Sequence, residues 1–434
     1  MRKHLFAFLL VLPTLFLHGQ SLYFPPIAGN TWDTLSPSSL GWCADQINPL
    51  LDYLESSNTK AFIILKDGKI VIEKYFGTFT RDSIWYWASA GKTLTSFMVG
   101  VAQQEYFLSI TDTTSQYLGQ GWTDCTSVQE DKITIRHQLT MTSGLDDGVP
   151  ENYCTLDTCL IYKADAGTRW AYHNAPYTLL DEVIQNATGV SLNNYINQKL
   201  RISTGMTGAF FPSGYNNVFF SKARSMARFG LLILNHGNWN GDQIMTDTAY
   251  FNQMVNTSQP LNLSYGYLWW LNGKASFRLP TLQFVFPGPL CPHAPADMIA
   301  ALGKNGQIIN VVPDQNLVLI RMGNVPGSGE VSNTYNDTIW QKLNNVLCDI
   351  SAVSKTDEEN GLNIFPNPAQ QSFTIDVRDE YYDFIMTDIT GKIMRHEVHV
   401  FDKTKIDCSD LPGGVYFLNV KTKGRFLSRK VIVQ

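Results

Sequence analysis

The patterning of the chain changes in kind at one place. From Ser351 to Gly361 the sequence reads S-A-V-S-K-T-D-E-E-N-G, polar, acidic and almost free of large apolar residues. Before this stretch, apolar runs with a helical period mix with runs of period two. After it, only short alternating runs remain. A polar break between two differently patterned segments reads as an exposed linker, so a chain of this kind is expected to fold as more than one body.

Residues 362–434 carry alternating runs at Ser372–Val377, Phe384–Ile389, Val415–Val420 and Phe426–Val433. The turn signals Pro366-Asn367-Pro368, Thr390-Gly391-Lys392 and Leu411-Pro412-Gly413-Gly414 precede or separate them. Short strands at regular spacing predict a small β-sandwich. His396-Glu397-Val398-His399 falls in one such alternating segment and reads as surface histidines rather than a metal site.

Residues 21–350 mix both periods. Ala61–Leu65 and Lys69–Tyr75 flank Lys66-Asp67-Gly68, a hairpin signal, and Gln307–Val312 and Leu317–Met322 flank Pro313-Asp314-Gln315-Asn316. Leu94, Phe97, Met98 and Val101 recur at helical spacing, as do Leu179, Leu180, Val183 and Ile184, with Gly189 as a stop. Ser221–Asn235 and Val331–Leu347 are further helices. Strands at both ends with helices between predict one sheet built from both termini and covered by helices, in the α/β (α+β) class. About 330 residues suffice for one large core.

Composition narrows the function. Apolar residues make up 44% of the chain, which excludes a disordered protein. Lys+Arg 33 against Asp+Glu 38 leaves a net charge of −5, so no nucleic-acid partner is expected. Arg2 and Lys3 precede an apolar run from Leu5 to Leu17, too short to span a bilayer, and Gly19, Gln20 and Ser21 follow. Residues 1–20 therefore read as a signal peptide. No transmembrane segment is expected, and export permits disulfides. Of the seven cysteines, Cys154 and Cys159 form the best local pair, and the odd count leaves at least one unpaired or intermolecular. No zinc spacing occurs, and neither metal nor cofactor is expected.

The chemistry centres on W-Y-W-A-S-A-G-K-T-L-T-S-F. Ser89 and Lys92, three apart at the start of a helix, share one face. A serine hydroxyl needs an adjacent base to attack, and a lysine amine can serve. The free N–H groups of the helix start favour a developing oxyanion. Trp85, Tyr86 and Trp87 would add an apolar wall. Downstream come H-Q-L-T-M-T-S-G-L (His137 to Leu145) and W-A-Y-H-N-A-P-Y (Trp170 to Tyr177). In an extended segment Tyr172 and Asn174 point the same way, with His173 between them. No G-x-S-x-G elbow, phosphate-binding loop or H-E-x-x-H helix is present.

Together these elements resemble the serine β-lactamase and penicillin-binding protein superfamily, in its class C-like and esterase branch. They are Ser89-Ala-Gly-Lys92, Thr142 to Leu145, Tyr172-His-Asn174, G-Y-L-W-W (Gly266 to Trp270) and A-L-G-K-N-G-Q-I-I-N-V-V-P (Ala301 to Pro313), covering about residues 45–345. The resemblance implies an α/β/α sandwich with a helical lobe, acylation at Ser89, proton transfer by Lys92 and Tyr172, and positioning by Asn174. It implies an oxyanion hole from the backbone N–H groups of Ser89 and Lys304. Trp87, His173, Trp269 and Gly303 are the expected cleft residues, Trp269 and Trp270 also reading as core. His173 replaces a small residue of the family and reads equally as a buried histidine bonded to backbone.

The third motif departs from the family's Lys-Thr-Gly. Either Lys304-Asn305-Gly306 is a variant of it, or Ala301-Leu302-Gly303 takes its place and a short hairpin follows. The second register is preferred, because Gln307–Pro313 begins too soon after Gly306. It removes the cation that would bind a β-lactam carboxylate and favours a small-molecule ester or small amide substrate, most of all in a carboxylesterase. The alternatives are a β-lactamase or D-amino-acid peptidase, and a non-catalytic surface binding protein. Phe284 to Asp297, with four prolines, is expected to be a stiff loop.

In the tail, I-F-P-N-P-A (Ile364 to Ala369), D-I-T-G-K (Asp388 to Lys392), L-P-G-G-V-Y-F (Leu411 to Phe417) and K-V-I-V-Q resemble a type IX secretion sorting domain of Bacteroidota. This implies export through the periplasm to the surface or the medium, with the secretion machinery as partner.

Overall fold

Strands from the two ends of the larger segment meet in one sheet. The computed structural model describes residues 22–324, 331–348, 362–377, 381–401, 403–422 and 426–434. The expected leader (1–20) and linker (351–361) lie outside them. In chain order, α1 (Ile47–Ser56) precedes β1 (Thr59–Lys66) and β2 (Lys69–Tyr75), and β3 (Ile84–Tyr86) leads toward α2 (Lys92–Gln104). Next come α3 (Asn174–Thr178), α4 (Leu180–Thr188), β4 (Ala209–Ser213), β5 (Asn216–Lys222) and α5 (Ala223–Leu234). The segment ends with β6 (Trp270–Leu271), β7 (Ile299–Gly303), β8 (Gln307–Val312), β9 (Leu317–Gly323) and α6 (Asn333–Leu347).

The six-stranded sheet has the order β2-β1-β9-β8-β7-β6, antiparallel at every pair. Burial explains its sequence. β8 and β9 are covered on both faces and are apolar but for Gln307, Asn310, Arg321 and the closing Gly323, whereas the edge strand β2 alternates. Adjacent residues of β8 show the two layers. Ile309 faces α5, where Gly230 lets the helix approach so closely that a Cβ there would lie 2.5 Å from Val318. The next residue, Asn310, pairs its amide with Asn336 of α6 on the other face. The result is the expected helix–sheet–helix sandwich. Short helices at Ser115–Leu118, Ser127–Glu130 and Ile135–Leu139, with α3 and α4, form the helical lobe.

Most boundaries follow the periodicity. Gly189 ends α4 in the left-handed conformation, its N–H bonded to the Gln185 carbonyl. Ser221 is a correction. It lies in strand β5, paired with Trp85 of β3, and the helix begins only at Ala223. Tertiary pairing overrides helical spacing there. Similarly, the last helix starts at Asn333 rather than Val331.

Cys154 and Cys159 are bonded as expected. A second disulfide, Cys43–Cys348, ties the start of the segment to the end of α6 across 305 residues, a pairing that spacing does not show. Cys125, Cys291 and Cys408 are free. Among the described residues no helix is long and apolar enough to cross a membrane.

The tail forms two antiparallel sheets. Leu362–Phe365, Ser372–Val377 and Thr404–Asp407 make one, and Ile393–Phe401, Tyr381–Asp388, Gly414–Thr422 and Phe426–Val433 the other. Phe373, Ile375, Phe384, Met386, Leu418 and Val420 fill its core, as a β-sandwich requires. His396 and His399 are exposed on a strand.

Candidate active site

The backbone turns sharply between β3 and α2, and Ser89 sits on that turn. Trp87 donates its N–H to the Phe219 carbonyl at 2.8 Å, and the non-glycine Ala88 takes φ 46°. A single 3-10 turn, Ala88–Gly91, then runs into α2. The Ser89 side chain is thus presented at the start of a buried helix, where backbone N–H groups lack helical partners.

Lys92 is buried at 1% exposure, and its Nζ donates to Ser89 Oγ at 2.9 Å. Nζ lies 4.2 Å from the centre of the Tyr177 ring and 5.1 Å from that of Tyr172, within cation–π range of both when it carries a proton. Tyr172 is held by aromatic packing. It stacks on Trp270 at 5.8 Å and meets Tyr265 edge-on. Its chain segment is anchored where the Ala171 N–H donates to the Met141 carbonyl and the Gly167 N–H to the Thr142 carbonyl. Thus Met141 and Thr142 anchor the segment that carries Tyr172, and G-Y-L-W-W supplies its stacking partner Trp270.

Asn174, at 1% exposure, begins α3. Its Nδ2 donates to Asn152 Oδ1 at 2.8 Å, while its own Oδ1 is buried without a hydrogen-bond partner. His173 is also buried. Neither ring nitrogen has a partner, and burial holds its pKa down at about 4, so the ring is neutral near neutral pH. The expected bond from this ring to backbone is absent.

Strand β7 closes the site. A Cβ built on Gly303 would lie 2.5 Å from the Trp87 carbonyl oxygen, 2.9 Å from Ala90 N and 3.1 Å from Ser89 N. Only glycine permits so close an approach of two backbones. Ala301-Leu302-Gly303 lies on this strand, and Lys304-Asn305-Gly306 forms the turn into β8. The side chain of Lys304 is exposed.

Two expected cleft residues sit elsewhere. Trp87 and Trp269 have 0% exposure. Trp87 packs on Phe219 and bonds Ser221 Oγ through Nε1, and Trp269 stacks on Phe229 of α5, so both belong to the core. Their neighbours Trp85 and Tyr86 are the partly exposed ones. Sequence reasoning also missed Asn152 and Asp181. Asp181 Oδ1 accepts from Thr95 of α2 and Oδ2 from Asn217 of β5. No local spacing marks either residue, because the bonds that tie them to Asn174, Asn217 and Thr95 span 22 to 86 positions.

The comparisons with known proteins agree with this architecture. Residues 57–343 match the β-lactamase family model, and residues 363–434 match the secretion system C-terminal sorting domain. An uncharacterized protein of Alkalihalophilus pseudofirmus is 26% identical over 319 residues, covering 65% of this chain and 88% of its own. Among solved structures, a protein assigned as a β-lactamase from Bacteroides dorei DSM 17855 is similar at TM-score 0.56 and 17% identity, covering 71% of this chain and 99% of its own. A penicillin-binding protein homolog from Caulobacter crescentus is similar at TM-score 0.53 and 12% identity, covering 71% and 98%. The sorting domain directs export by the type IX machinery to the cell surface or beyond. With a family model spanning the sheet, the helical lobe and the Ser89 turn, the chain belongs to the β-lactamase family of serine hydrolases.

Proposed function

We propose that this exported hydrolase cleaves an ester or small amide through an acyl-Ser89 intermediate, with a carboxylesterase-like preference. The observation that carries the reading is the 2.9 Å hydrogen bond between Lys92 Nζ and Ser89 Oγ, a contact along which the hydroxyl proton passes once the amine is neutral. Ser89 Oγ attacks the substrate carbonyl as its proton passes to the Lys92–Tyr172 pair. The carbonyl oxygen gathers negative charge against the backbone N–H groups of Ser89 and Lys304. Collapse of the tetrahedral adduct breaks the bond to the alcohol or amine, which leaves with the proton held by the pair. Water then adds to the acyl-Ser89 carbonyl by the reverse proton path and releases the acid. Asn174 orients Lys92 and the substrate.

The preference for esters is supported by β7. The strand beside Ser89 carries Ala301, Leu302 and Gly303, all buried and uncharged, and gives no cation for a β-lactam carboxylate. The test is labelling of the parent and of Ser89→Ala with a fluorophosphonate probe, followed by a panel of short acyl esters and a chromogenic cephalosporin. Labelling lost in the variant and faster turnover of the esters are the expected results. Labelling that persists in the variant rejects Ser89, and faster cephalosporin turnover rejects the esterase assignment.

A further inference from the structure

The guanidinium of Arg321 lies inside the sheet domain at 0% exposure, on β9. Burying such a charge is costly unless every donor is paired. Its five bonds all go to neutral oxygens. Nε donates to Thr59 Oγ1 at 3.0 Å, and Nη2 donates to the carbonyls of Ser57 at 3.0 Å and Asn324 at 2.6 Å. Nη1 donates to the carbonyls of Asn305 at 2.7 Å and Gly306 at 3.0 Å. The Tyr335 ring closes the pocket 4.9 Å from Cζ. An apolar residue would fill this interior position without the cost of a charge. What the guanidinium adds is a rigid fork that ties the β7–β8 turn to the entrance of β1.

That turn is unusual in its own right. Asn305 takes φ 63°, a left-handed conformation that sends consecutive carbonyls inward, away from water. Ser332 Oγ donates to the Gly303 carbonyl at 3.1 Å and accepts from the Gly306 N–H at 3.0 Å. Asn305 Nδ2 donates to Tyr86 Oη at 2.7 Å, reaching the strand that leads to Ser89. The turn begins with Lys304, directly after the glycine that abuts the nucleophile.

We infer that Arg321 is a positioning residue for the reaction. By holding the carbonyls of Asn305 and Gly306, it sets where the Lys304 N–H points and thereby completes the oxyanion hole. The inference rests on the acyl-serine reading above.

The test uses Arg321→Lys in the full chain, because a single ammonium cannot span from the Asn305 carbonyl to the Ser57 carbonyl. Three measurements are made: amide hydrogen exchange over residues 303–307, steady-state kinetics on an ester that the parent cleaves, and fluorophosphonate labelling of the parent. Misplacement of a catalytic group by about 1 Å costs up to about 100-fold in rate, so kcat is expected to fall by about 10- to 100-fold while KM stays within about twofold. Exchange over 303–307 should accelerate while the rest of β8 and β9 keeps its protection. Unchanged exchange overturns the inference, as does faster exchange with kcat unaltered. If the lysine variant does not fold, Arg321→Gln, which is neutral and keeps two donors, is read in the same way. If neither folds, Arg321 serves folding alone and the inference is rejected. A parent that is not labelled at Ser89 defeats the acyl-serine reading itself, and the inference with it.

Discussion

The side-chain oxygen of Asn152 accepts two hydrogen bonds from Asn174, one from Nδ2 at 2.8 Å and one from the backbone N–H at 3.3 Å. Asn152 is itself held by its Nδ2, which donates to the Asp147 carbonyl, and Asp147 is paired with Arg169 at 2.5 Å. The loop before the Cys154–Cys159 disulfide therefore fixes which way the Asn174 amide is turned. Asn152→Ala removes the acceptor and leaves a buried amide free to rotate. Ester turnover should fall by about tenfold at a stability cost of about 1–3 kcal/mol. Asn152→Asp keeps an acceptor oxygen and should retain most of the activity. Steady-state kinetics and thermal melts of the two variants check this. Equal losses in both would show that the acceptor is not what matters.

Local pattern carried much of this structure. The β1–β2 and β8–β9 hairpins and helix α2 follow from apolar period and turn residues, all within a few positions of one another. The helical spacing of Ser89 and Lys92 likewise suffices to bring their side chains together. What could not be read depends on contacts between distant segments. Cys43 meets Cys348, Arg321 meets Ser57 and Asp181 meets Asn217 only once the sheet has formed. Trp87 misled because it stands two residues before Ser89 in an aromatic run whose members differ in burial. Trp85 and Tyr86 are partly exposed, while Trp87 turns inward onto Phe219 and Phe229. Ser221 misled because Ser221-Lys222-Ala223-Arg224 runs from strand into helix with no glycine or proline to mark the boundary.

Asp181 links stability to pH. Burial raises its pKa from 3.8 to about 7, against the opposing hydrogen bonds from Asn217 and Thr95 and the charge of Lys92. A carboxyl whose folded pKa lies above its unfolded value binds its proton more tightly in the native state. Its contribution therefore favours the fold below about pH 4 and is lost as pH rises from about 4 to about 7. Asp181→Asn removes this titration. The variant should melt higher than the parent at pH 8, and the difference should shrink as pH falls toward 4. Melting curves across that range check it, and a constant difference at every pH would reject the assignment.

The Cys43–Cys348 bond closes a loop containing almost the whole hydrolase segment, with a sequence separation of 305. Loop closure on this scale restricts the unfolded chain strongly, and loss of a native disulfide typically costs about 2–5 kcal/mol. Cys43→Ser should lower the melting temperature clearly, yet leave the rate of Ser89 labelling unchanged below the transition, since the bond joins the start of the segment to the end of α6. Parallel melts and labelling time courses separate these effects. A variant that melts with the parent would show that the bond adds no stability.

Gly303→Ala tests the closest backbone contact in the site. Gly303 has φ −126° and ψ 159°, an extended conformation that alanine adopts freely, so its backbone dihedrals would not strain the variant. The obstacle is contact. The added Cβ would meet the Trp87 carbonyl oxygen at 2.5 Å, Ala90 N at 2.9 Å and Ser89 N at 3.1 Å, all backbone atoms that no side-chain rotation can clear. Relief requires β7 to move away from the Ser89 turn, at a cost of about 1–3 kcal/mol in stability. The same movement separates the Lys304 N–H from the Ser89 N–H, so both could no longer meet one oxyanion. Fluorophosphonate labelling should slow by about 100-fold in a variant that still folds cooperatively, as expected for a group displaced by about 1 Å. Labelling at the parent rate would mean that the oxyanion is not held between the end of β7 and the Ser89 turn.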